Sequence, residues 1–168
     1  MVMFKLMSTI VVGALAIVAP AAAQAALGPD AASCRPGASE PAFLVNVDGF
    51  KNRDGRVRVQ LYPANSKFLQ KGEWLRRIDL PVTRSGPMRV CVAAPKAGTY
   101  AIAVRHDTKG NGSDWNDGGG FSRNPSISLF DLKPKYQEVA ISVGDGVKPV
   151  DVVLNYRRGL SVGPVRHN

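Results

Sequence analysis

The stretch Gly55-Arg56-Val57-Arg58-Val59-Gln60-Leu61-Tyr62 decides the fold. Val57, Val59 and Leu61 fall on one side, and Arg56, Arg58 and Gln60 on the other. Successive side chains of an extended chain point to opposite faces, so this period of two marks a strand with one buried and one wet face. The same period recurs on either side. Upstream, Phe43, Val45 and Val47 alternate with Leu44, Asn46 and Asp48, and the turn-rich link Asp48–Gly55 suits a hairpin. Downstream, strand signals return at Trp74–Val82 and at Met88–Ala93, where Met88, Val90 and Val92 share a face. After the Pro95–Gly98 turn, Tyr100, Ile102, Val104 and His106 line one side of a strand. Two last stripes, Val139/Ile141/Val143 and Val150/Val152/Leu154, flank the Gly144-Asp145-Gly146 turn. The segment Asn65–Trp74 loses the period and reads as a short helical turn resting on Phe68 and Leu69. Pro125 and Pro134 exclude a long helix between Phe121 and Pro134.

About seven short strands without an amphipathic helix predict an all-β chain: a single antiparallel β-sandwich of immunoglobulin or transthyretin type. Tyr100, two residues past Gly98, resembles the tyrosine corner of such folds, whose hydroxyl bonds back to the backbone. Trp74 is expected in the core, beside Ile78 and Leu80.

The N-terminus predicts the compartment. Lys5 is followed by an apolar run, Met7–Ala23, broken by Pro20, and then by Ala23-Gln24-Ala25, the small-x-small pattern of a signal-peptidase site. Residues 1–25 therefore read as a signal peptide and 26–41 as an extended lead-in segment. Residues 42–156 read as the sandwich domain and 157–168 as a basic flexible tail. The chain is expected to be exported, periplasmic or secreted, with no membrane span once processed. Cys34 and Cys91, an even pair in an oxidising compartment, are expected to form one disulfide.

The formal charge is +9. In an exported protein this points to an anionic envelope component or a polysaccharide as partner rather than to nucleic acid.

The loop Asp107–Gly120 is the candidate site, because its glycines and short polar side chains would not be chosen to fill a core and long loops in compact domains carry function. Around it stand Ala97–Val104, His106-Asp107, Gly110-Asn111-Gly112, Gly120-Phe121-Ser122 and Asn124-Pro125. This set resembles the exported bacterial domain-of-unknown-function family 2141. The resemblance spans most of residues 42–156, and it implies an exported sandwich without an assigned activity. Members typically read His-Asp-x-Asn-Gly-Asn-Gly here, whereas this chain has Lys109 in place of the first asparagine.

His106, Asp107, Asn111, Asp114, Trp115, Phe121 and Ser122 are the ligand-binding candidates. Trp115, set in the polar loop, could stack on a sugar ring. As a calcium loop the segment would use Asp107, Asn111, Asp114 and Asp117, but Lys109 inside the ring of ligands would repel the ion, and the acidic twelfth residue is missing. A hydrolase using His106 and Asp107 would need a nucleophile that no motif supplies; His167 lies in the tail. His106 is expected to fix the base of the loop. The expectation is a non-catalytic binding or structural module at the cell envelope, with no cofactor. The alternatives are a calcium-stabilised structural domain and the hydrolase.

Overall fold

A computed structural model describes residues 25–165. The expected signal peptide, apart from Ala25, and His167 lie outside the described residues. Among the described residues there are ten strands: β1 (Ala42–Asp48), β2 (Arg56–Pro63), β3 (Arg76–Pro81), β4 (Met88–Ala93), β5 (Gly98–Asp107), β6 (Gly118–Phe121), β7 (Ala140–Val143), β8 (Val147–Val153), β9 (Asn155–Arg158) and β10 (Ser161–Pro164). They make two sheets. The small one has the order β4-β1-β8, and the large one β10-β9-β6-β5-β2-β3, with β7 also on β5. The expected β-sandwich is what forms.

The alternating stripes build the core between the sheets. Phe43, Val45, Val47, Met88, Val90 and Val92 come from the small sheet; Val57, Val59, Leu61, Ile102 and Val104 from the large one. Each is at most 3% exposed, the burial that the two-residue period required. Burying one such side chain stabilises by about 1.5–3 kcal/mol.

Four readings change. The sandwich is not wholly antiparallel, because β1 runs parallel to β8, with Val45 opposite Val150. The loop ends early: Gly118–Phe121 pairs with β5 as a strand. The tail is folded through Pro164, where β9 and β10 form a hairpin with Arg158 opposite Ser161. Trp74 is half-buried rather than core, with the Arg77 guanidinium 5.6 Å from its ring centroid.

The lead-in segment is a strap. A 3-10 turn, Ala31–Cys34, carries Cys34 to a disulfide with Cys91 on β4. Leu27 pairs with the outer edge of β4, donating to Arg89 at 2.7 Å and accepting from Cys91 at 3.0 Å. Asp30 accepts from the Ala93 amide at 3.0 Å and forms an ion pair with Arg76 on β3. The strap explains why Leu44, on the outer side of β1 and opposite Cys91, is only 8% exposed. The Tyr100 hydroxyl donates to the Lys96 carbonyl at 2.7 Å, the bond expected of a tyrosine corner.

Candidate functional site

Register places a trough on the outer face of the large sheet. Across one row Gln60, Ala103 and Phe121 are neighbours on β2, β5 and β6; across the next stand Arg58, Arg105, Gly119 and Asn155. Ala103 and Gly119 are the small members, so the sheet surface dips where they meet. A Cβ built on Gly119 would meet nothing closer than the Val104 carbonyl oxygen, at 3.9 Å. The neighbouring glycines differ, since they point into the core. A Cβ at Gly118 would stand 2.4 Å from the Tyr156 ring, and one at Gly120 would stand 2.7 Å from both Val152 and the Val153 carbonyl oxygen.

Two loops raise walls on this floor. Ser113–Asp117 forms one, and Ile127, Leu129, Leu132 and Lys133 form the other; Tyr62 and Leu69 contribute at the β2 side and Val162 at the β10 side. The groove encloses about 480 Å³, within the size range of small-ligand sites. Its aromatic floor is held by edge-on contacts: Tyr62 to Phe68 at 5.5 Å and Phe68 to Phe121 at 6.1 Å. Trp115 is 74% exposed, and the Arg157 guanidinium lies 4.2 Å from its ring centroid.

The wall loop is bound to itself. Asp107 accepts from the Gly110 amide at 2.7 Å and the Gly112 amide at 2.8 Å. Burial alone would raise its pKa, but these amide bonds and the Arg105 charge outweigh burial and hold the carboxyl below the ordinary value. Asp117 takes the Thr108 amide at 3.1 Å, the Asp114 amide at 2.9 Å and Arg105 at 3.1 Å. Asp114 pairs with Lys109 at 2.6 Å, a hydrogen bond that lowers the carboxyl's pKa and raises that of the lysine. Lys109 thus carries its own cation into the loop. Among the described residues no group of three or more His, Cys, Asp or Glu side chains is arranged to hold a metal ion.

His106 is fully buried and bonded at both nitrogens. Nε2 lies 2.7 Å from the Asp54 carbonyl oxygen, which can only accept, so Nε2 carries the proton. Nδ1 lies 2.7 Å from the Tyr156 hydroxyl. Burial pushes that phenol up to about 12, so it keeps its proton and donates to Nδ1, while accepting from the Lys51 amide at 3.2 Å. The expected role of His106 is corrected in part: it ties β5 to the β1–β2 link and to β9, not to the glycine loop.

Ser122 and Asn124 act as clips. The buried Ser122 hydroxyl donates to the Val139 carbonyl at 2.5 Å and accepts from the Ile102 amide at 3.1 Å, joining the two strands that share one edge of β5. The Asn124 side chain reaches the small sheet. It donates to the Asp151 carbonyl at 3.0 Å and accepts from the Val153 amide at 2.8 Å, taking the place of a neighbouring strand along β8.

Of the seven sequence candidates, Asp114, Trp115 and Phe121 meet in the groove. His106, Asp107 and Ser122 are buried in structural bonds, and Asn111 is exposed at a separate shallow cleft beside Arg56 and Arg58. Sequence reasoning missed Ala103, Gly119, Asn155 and Arg157. The usable signal was the run of small residues at the outward positions of β5, Ala101 and Ala103, which leaves a hollow on a sheet otherwise studded with arginine.

A family model described as "Uncharacterized protein conserved in bacteria (DUF2141)" matches residues 45–151. No curated protein and no solved structure matches the chain.

Proposed function

The chain belongs to the DUF2141 family of uncharacterized bacterial proteins, and from that premise we propose that it is an exported, non-catalytic binding module whose groove on the large sheet holds an anionic component of the cell envelope, in the first instance an acidic polysaccharide. One observation carries the reading. A hollow floored by Ala103 and Gly119 is walled by an exposed tryptophan, and Arg157 lies over that ring. Flat aromatic faces take the apolar side of a sugar ring, and the cations Arg157 and Lys133 take its acidic substituent. Asp114 and Asp117 line the same wall but are already paired with Lys109 and Arg105, so the acids there are offset.

Absence of catalysis is part of the proposal. Both nitrogens of His106 are engaged, its ring is sealed from solvent, and neither Asp54 nor Tyr156 offers it a nucleophile. Export rests on the apolar run and small-x-small site at residues 7–25 and is supported by the Cys34–Cys91 disulfide, which oxidising compartments favour.

Tryptophan fluorescence titrated with polygalacturonate tests it. Quenching with the wild type, lost in Gly119→Leu at unchanged melting temperature, supports the groove as the seat. Quenching of equal size in Gly119→Leu places the ligand elsewhere and overturns the reading.

A further inference from the structure

Large apolar side chains clustered in water at the tips of turns mark an interaction surface, because exposing several together forgoes their burial, whereas one alone is ordinary. Three such tips surround the mouth of the groove. Ser128 and Asp131 exchange backbone hydrogen bonds at 3.1 and 3.2 Å, which leaves Leu129 and Phe130 as a two-residue turn. Leu129 lines the groove while Phe130 is 101% exposed. In the β9–β10 hairpin, Gly159 and Leu160 form the turn, Gly159 with φ +59°, and Leu160 is 91% exposed. The flanking residues Arg157 and Val162 both line the groove. The third tip is Trp115, on the opposite wall, and Leu132, 47% exposed, adds a fourth apolar surface on the wall it shares with Leu129.

Cations accompany these tips. Lys133 follows Leu132, and Arg157 and Arg158 precede Leu160; among the described residues none of the three makes an ion pair with a carboxylate. Asp131 is the acid beside them. The other two, Asp114 and Asp117, are taken up by Lys109 and Arg105.

From this placement we infer that the rim of the groove docks on an anionic lipid surface, with Phe130, Leu160 and Trp115 entering the interface and Lys133, Arg157 and Arg158 meeting the headgroups. Interfacial binding of this kind scales with the apolar area inserted plus attraction to anionic lipid, and tryptophan favours the headgroup level. Charge complementarity selects a lipid surface over a second copy of this chain, since two such rims would face each other with the same sign. The inference goes beyond the groove ligand and stands without it.

Co-sedimentation with vesicles tests it, using the processed protein and vesicles of phosphatidylglycerol with phosphatidylethanolamine against pure phosphatidylcholine. The wild type should bind the anionic vesicles and release them at high salt, because screening removes the headgroup attraction. The variant Phe130→Ala with Leu160→Ala should bind about tenfold more weakly at an unchanged melting temperature, since both residues are free of the core. Wild type and variant share one N-terminus, so the difference reads the rim alone. Gly119→Leu, which fills the groove, should bind vesicles as the wild type does, so the groove reading and the rim reading fail separately. Equal binding of the double variant, equal binding to both vesicle types, or a concentration-dependent dimer that the double variant abolishes would each overturn the inference.

Discussion

Single residues carry sharply different tolerances within a few ångströms. Gly118 and Gly119 are adjacent, yet a methyl group at Gly118 would drive into the Tyr156 ring and one at Gly119 would stand in open space. Gly118→Ala should destabilise by about 1–3 kcal/mol through overpacking. Gly119→Ala should be neutral or gain about 0.5 kcal/mol by narrowing the unfolded ensemble; urea titration of both variants checks the contrast. Tyr156→Phe removes the hydroxyl that serves the Lys51 amide and His106, and stranding the buried His106 nitrogen should cost about 1–3 kcal/mol. The phenol also gives the protein an alkaline limit. Its folded pKa is raised from 10.0 to about 12, so the contribution is present below the unfolded value and lost as pH rises from about 10 towards 12. In Tyr156→Phe that loss should vanish from the pH profile of stability. Asp107 works at the other end. Its folded pKa lies below the ordinary 3.8, so its contribution is present above that value and lost as pH falls through the lower folded one. Asp107→Asn should flatten the acid limb, read by melting temperature from pH 5 to pH 2.

At the scale of elements, the loop before β6 is knotted by side-chain caps. Both Asp107 oxygens face amides of its own turn, and Lys109 occupies Asp114. Millimolar calcium or a chelator should therefore leave the melting temperature within about one degree, checked by scanning calorimetry; a reversible rise of several degrees would return the loop to the metal reading. The strands that the sequence displayed plainly include β2 and β8, which have one drier and one wetter face, where alternation is forced; β5 is buried on both faces from Tyr100 to Val104 and was readable because small alanines alternate with its large core residues. Those it concealed have a common cause. In β6 three successive glycines carry no pattern at all: Tyr156 and Val152 leave room for nothing larger at Gly118 and Gly120, while Gly119 faces the groove. In β9 Tyr156 alone is buried, and one apolar residue sets no period. The groove was partly readable for the same reason. Trp115 and Phe121 stood out as aromatic residues in a polar setting, whereas Ala103, Gly119 and Arg157 became neighbours only through strand register.

The whole molecule is two sheets with a strap across one of them. Cys34–Cys91 closes a long loop, so Cys34→Ser with Cys91→Ser should lose about 4 kcal/mol on the chain-entropy estimate, or less where strap contacts survive in part. Denaturant titration of oxidised and double-serine proteins measures it. The parallel partnership of β1 with β8 has a further consequence, one of timing. Val45 and Val150 are partners at the centre of the small sheet, yet they lie at nearly opposite ends of the described chain. A polypeptide emerging from its N-terminus must hold β1 unpartnered on that side until β8 has been made, and closing so distant a contact is slow. The first strand to appear is thus among the last to be completed. Such a chain remains threadable for most of its synthesis, and a channel that admits only unfolded polypeptide would find it still open.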